Sequence, residues 1–129
     1  MKNRLLHLIL FAFVIALSTG CTTHNTALYN YENYSESYYA YKKDPSVASQ
    51  LELQKSIELA IQNAQNSQSR RVAPGLYANL GYIYLKEGKN KLAIENFQKE
   101  KALYPESAHF MDRMIKKVEL LEGDTDEKK

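Results

Sequence analysis

Tyr77-x2-Leu80-Gly81-x2-Tyr84, followed by Gly88, then Ala93-x3-Phe97 and Pro105, is the stretch that decides the fold of this 129-residue chain. At 3.6 residues per turn, Tyr77, Leu80, Gly81 and Tyr84 share one face of a first helix. Gly81 has no side chain, so a second helix can approach closely there. Gly88 permits the turn between them, Ala93 is the small residue opposite Gly81, and Phe97 fills the space between the helices. Pro105 ends the second helix. The spacing predicts a helical hairpin over the 34 residues from Pro74 to Ser107.

Upstream, Tyr31, Tyr34, Tyr38 and Tyr41 fall three, four and three residues apart and predict one tyrosine-lined helical face, more core than site. Tyr29 and Tyr39 fall off that stripe and are expected to face a partner or a membrane interface, where aromatic groups with one polar end are favoured. Asp44-Pro45 closes this segment, with Asp44 as a cap and Pro45 in the first turn of the next helix. That helix runs to about Asn66, with Val47, Leu51, Ile57, Ala60, Ile61 and Ala64 as its apolar stripe. Asn66 to Val72 is polar and reads as a loop, in which the adjacent Arg70 and Arg71 are a solvated pair or a contact for lipopolysaccharide or an acidic partner. Downstream, Ser107 can cap a last helix carrying Ala108, Met111, Met114, Ile115, Val118 and Leu121. Residues 123–129 are charged and expected to form a flexible tail.

Few Gly and Pro and no sustained alternation of apolar and polar residues make the class all-α. The 74–107 pattern resembles a tetratricopeptide repeat, with Tyr77 where that family usually has Trp and Glu100 where it prefers Ala. The resemblance implies two helical hairpins plus a C-terminal capping helix over residues 28–122. Repeat arrays of this kind bind extended peptides on their first helices. Ala78, Tyr82, Leu85 and Lys86 lie on a face apart from the Tyr77–Leu80–Tyr84 stripe. They are the candidate partner-binding residues, with Tyr82 as aromatic platform and Lys86 as cation, unless the earlier hairpin packs there.

The N-terminus has the three parts of an export signal. Lys2 and Arg4 form the charged region, Leu5 to Leu17 the apolar region interrupted by His7, and Ser18, Thr19 and Gly20 the small residues. The apolar run is shorter than the ~20 residues a spanning helix needs. Leu17-Ser18-Thr19-Gly20-Cys21 resembles the lipobox of bacterial lipoproteins, which implies a signal peptide of residues 1–20, cleavage before Cys21, and diacylglyceryl and N-acyl chains on Cys21. Two or more acyl chains make a stable anchor. Residues 21–27 would then be a lipidated tether. Thr22 is not the Asp that retains enteric lipoproteins in the inner membrane, so the resemblance implies the periplasmic face of the outer membrane.

Two further stretches, Leu28-Tyr29-Asn30-Tyr31-Glu32-Asn33-Tyr34 with Lys43-Asp44-Pro45, and Pro74 to Gly81 with Glu100 to Ser107, are similar to a family of small bacterial lipoproteins of unknown function with a tetratricopeptide-like C-terminal half. Genes of that family commonly lie beside one for a lipoprotein resembling the curli secretion pore. The resemblance implies a role in an envelope lipoprotein assembly, without an activity or a catalytic residue.

Removing residues 1–20 takes two of the 17 basic residues and none of the 15 acidic ones, leaving 15 of each sign. A neutral chain of this kind carries no electrostatic footprint for nucleic acid. Only His24 and His109 remain in the mature chain, and no Cys or paired carboxylates lie beside them, so neither a metal site nor a cofactor site is expected. No nucleophile elbow or phosphate-cradling Gly-rich loop is present, and no enzyme is expected. Three readings remain: a lipid-anchored, non-catalytic adaptor binding a protein partner, a structural homo-oligomer of the outer membrane, and a regulator of a cell-wall enzyme.

Overall fold

A computed structural model describes Arg4 and residues 27–126, with side chains described as far as Gly123. The expected signal peptide cleavage site, Cys21 and residues 22–26 of the tether lie outside the described residues. Among the described residues the fold is all-helical. Its α-helices are α1 (Tyr34–Lys43), α2 (Val47–Gln62), α3 (Leu76–Lys86), α4 (Asn90–Leu103) and α5 (Ala108–Asp126), with short 3-10 turns at Ala64–Asn66 and Pro105–Ser107. Each helix packs on the next, most extensively α3 on α4 and then α4 on α5. None of the described helices is long and apolar enough to cross a membrane.

Two apolar clusters hold the helices together. The first joins Leu53, Ile57 and Ala60 of α2 to Leu76, Leu80 and Ile83 of α3, with Tyr34 and Tyr41 of α1 packed on it. The second joins Ala93 and Phe97 of α4 to Met111 and Val118 of α5. Burying a side chain of the size of Ile57 or Phe97 contributes about 1.5–3 kcal/mol, so these few residues dominate the stability of so small a domain.

The close approach read from the sequence is present. A Cβ added to Gly81 would stand 2.7 Å from Phe97 Cε1, 2.8 Å from Phe97 Cδ1 and 3.1 Å from the Ala93 carbonyl oxygen. The Phe97 ring is fully buried and cannot swing aside. Alanine gains about 1 kcal/mol of helix propensity over glycine, but overpacking a tight core costs up to ~3 kcal/mol. Gly81→Ala is therefore expected to lower stability by roughly 2 kcal/mol in urea unfolding. An unchanged or raised midpoint would show that the helices can part without cost.

Gly88 sits at φ +71°, and α3 ends there in a Schellman motif. The Lys89 N–H donates to the Tyr84 carbonyl at 2.9 Å and the Gly88 N–H to the Leu85 carbonyl at 3.1 Å.

Several expectations are corrected. The buried α2 stripe is Leu53, Ser56, Ile57 and Ala60, continued by Ala64 in the 3-10 turn that follows, while Val47 and Leu51 are 87 % and 48 % exposed. Leu51 lies half a turn from Leu53, so one face cannot bury both. The cap of α2 is Ser46, in a reciprocal capping box with Ser49, and Asp44 contributes its backbone carbonyl to Ser49 Oγ. Tyr31 precedes α1, and Tyr31 and Tyr38 remain more than a third exposed. Tyr29, expected to face outward, packs against the first cluster. The Ser107 hydroxyl donates back to the Tyr104 carbonyl at 2.7 Å. Helix α5 continues past Gly123 to Asp126, into the stretch expected to be a flexible tail.

Candidate functional site

Helix α3 touches both apolar clusters, and its start is held by a residue of the next helix, 22 to 25 residues further along the chain. Leu76–Lys86 begins behind Pro74-Gly75, where no side chain caps its free N–H groups. Glu100 of α4 supplies the acceptors. Its Oε1 accepts from the Gly75 N–H at 2.7 Å and its Oε2 from the Ala78 N–H at 3.3 Å. The carboxylate is 97 % buried, since only 3 % of the residue is exposed. A negative group at a helix N-terminus also meets the positive end of the helix dipole. Glu100, where the resemblance read from the sequence would prefer Ala, thus caps the neighbouring helix.

Tyr82 stands on the outer face of α3, 48 % exposed. One helical step to one side lie Asn79 and Lys86. Asn79 Nδ2 donates to the Tyr34 hydroxyl at 3.0 Å, and Lys86 Nζ donates to the Tyr41 hydroxyl with its charge over that ring. That hydrogen bond raises the Lys86 pKa. To the other side lie Ala78 and Leu85, half-buried against the cluster shared by α4 and α5. Of the four residues expected to bind a partner, then, Tyr82 is the exposed aromatic between two rows of helix contacts. Lys86 is tied to α1, and Ala78 and Leu85 border the second cluster. Among the remaining expected residues, Leu80, Gly81, Ala93 and Phe97 are buried, Tyr77 and Tyr84 are half-buried, and Gly88 and Pro105 are exposed at turns.

The α2–α3 loop is more ordered than its polar sequence suggests. The Gln68 and Ser69 N–H groups donate to the Ala27 and Leu28 carbonyls, each at 3.1 Å, so the start of the domain is strapped to this loop. Arg71 Nη2 donates to the Leu103 carbonyl at 2.6 Å, and its guanidinium lies 5.1 Å from the centre of the Tyr104 ring. The Tyr104 hydroxyl donates to the Val72 carbonyl at 2.6 Å. Burial, then the Tyr29 hydroxyl beside it, hold the Tyr104 phenol well above the ordinary tyrosine range, so it keeps the proton it donates. Arg70, at φ +53°, is one of two non-glycine residues in the left-handed region among those described.

Beside this loop lies an open groove of about 430 Å³, lined by Arg70, Arg71, Tyr77 and Lys99 among others. Lys99 Nζ is 5.8 Å from the Tyr77 ring centre. Burial, then the charge of Glu100, raise the Tyr77 pKa. Among the described residues no group of three or more His, Cys, Asp or Glu is placed to hold a metal ion. Cys21, the expected lipidation residue, lies outside the described residues.

Comparison with known proteins gives no match among curated proteins and none among solved structures. A family of uncharacterised function does match, over residues 28–114, which takes in the loop, the capped helix α3, Tyr82 and the first part of α5. On that match, the chain belongs to the family described as Domain of unknown function (DUF4810).

Proposed function

We propose that the protein is a lipid-anchored envelope lipoprotein that acts as a non-catalytic adaptor, with Cys21 acylated and the helical domain on the periplasmic face of the outer membrane. The observation that carries the adaptor reading is Tyr82: a large aromatic left 48 % exposed on a helix whose other faces pack against both apolar clusters. Exposed Tyr backed by rigid packing is the kind of residue that dominates binding energy at interfaces. The Gly81–Phe97 contact and the Schellman turn at Gly88 support reading α3 and α4 as a tetratricopeptide-type hairpin, whose first helix offers such a face. The family resemblance in the sequence makes another envelope lipoprotein, such as one resembling the curli secretion pore, the partner to look for first.

A photo-reactive amino acid placed at Tyr82 tests this in intact cells. It is expected to cross-link one protein in the envelope, while the same group at exposed Glu119 gives none. Equal, diffuse cross-linking from both positions would contradict a partner face at Tyr82.

A second reading, self-association, is favoured by α5. Phe110 and Leu121 are 52 % and 46 % exposed beside half-buried Met114, on the last helix of the bundle. A solution mass that rises with concentration would select this reading over a monomeric adaptor.

A further inference from the structure

We infer that the groove formed by Arg70, Arg71, Tyr77 and Lys99 docks the phosphate of an anionic membrane phospholipid and so fixes how the domain stands on the bilayer. The inference rests on the reading of Cys21 as the lipid anchor. Three cations line the groove and no carboxylate does. Arg71 is held in place by the Leu103 carbonyl and the Tyr104 ring. Lys99 is set over the Tyr77 ring. Arg70 holds a left-handed backbone conformation that an arginine rarely adopts, and its side chain lines the groove.

Chain length says what the groove meets. Ala27 and Leu28 are bonded to Gln68 and Ser69, immediately before the two arginines. Ala27 follows Cys21 by six residues, a span of at most about 20 Å. An acylated Cys21 sits at the headgroup level, so this end of the bundle is the end held beside the bilayer. Cations near an anionic surface each strengthen association about fivefold, within a Debye length of the surface. Tyr77 adds an aromatic group of the kind enriched at the membrane–water boundary.

The test uses the mature protein purified from envelopes and reconstituted into vesicles of phosphatidylcholine, alone or mixed with phosphatidylglycerol. Flotation reports the anchor. Amide hydrogen exchange in peptides covering residues 67–78 reports the groove. The protein is expected to float with both vesicles, and exchange in this segment is expected to slow about fivefold or more only in the anionic ones. High salt should remove the slowing. The double variant Arg70→Asn, Lys99→Gln keeps a residue tolerant of positive φ at position 70. It should float as before, melt as before and lose the slowing.

A protein that floats with neither vesicle overturns the anchor reading and the inference with it. A protein that floats with both but exchanges equally in both overturns the inference alone. Slowing by inorganic phosphate in neutral vesicles to the same extent would assign the groove to a free anion instead. Loss of a co-purifying envelope protein in the double variant, with vesicle exchange unaltered, would assign it to an acidic protein partner. Either assignment overturns the phospholipid.

Discussion

Glu100→Ala is expected to destabilise the domain by about 3 kcal/mol, because it deletes charge-assisted hydrogen bonds and leaves their donors in place. The Gly75 and Ala78 N–H groups at the start of α3 both end on this carboxylate. Replacing a buried charge by an apolar group can be neutral when its partners are replaced too. Here the partners are backbone and cannot be changed. Alanine's better helix propensity in α4 returns only a few tenths of a kcal/mol. For a domain of this size the loss corresponds to a fall in melting temperature of more than about 10 °C. Glu100→Gln keeps one acceptor oxygen, so it is expected to lose roughly half as much. If Glu100→Ala melts with the parent protein, the start of α3 is satisfied by water and the carboxylate is dispensable.

On the proposed lipoprotein reading, Cys21→Ser is expected to abolish acylation and to release the protein from the membrane fraction. The thiol is the only sulfur nucleophile of its kind in the chain. Among the described residues no helix could substitute as a spanning anchor. A single acyl chain holds a protein only marginally, with an association constant of about 10⁴ M⁻¹, and stable anchoring takes two signals. Without any chain, the groove cations alone would have to hold the domain, which is far weaker. Palmitate labelling and the mass of the N-terminal peptide measure the change directly. A Cys21→Ser protein that stays in the membrane fraction would mean that another element anchors it.

What could be read from the sequence was what depends on spacing within one hairpin. Ala93 and Phe97, four residues apart, share one face of α4, and the bare backbone of Gly81 on α3 lets that face approach, while Gly88 turns the chain because glycine tolerates positive φ. What could not be read depended on contacts between distant elements. The Glu100 role escaped because its ligands are backbone amides more than twenty residues away. A signal was there: α3 begins at Pro74-Gly75 with no Ser, Thr, Asp or Asn to cap it, while a carboxylate sits on the inward face of the following helix. Tyr29 was misplaced because helical periodicity was extended to a segment where no helix begins before Tyr34. Leu53 was missed because Val47 and Leu51 suggested a different origin for the α2 stripe. Of the candidate site, exposure of Tyr82 followed from its position between two contact rows. The tie between Lys86 and Tyr41 required knowing that α1 packs beside α3.

The adaptor reading meets its most direct test in affinity purification of the tagged, mature protein from detergent-solubilised envelopes, run in parallel with Tyr82→Ala. The account predicts one envelope protein recovered in near-stoichiometric amount with the parent. Tyr82→Ala should retain the fold and lower that recovery by about 30-fold in affinity, the loss of one interface hot spot. Recovery of the protein alone from both, as a monomer or as a defined oligomer, would contradict it.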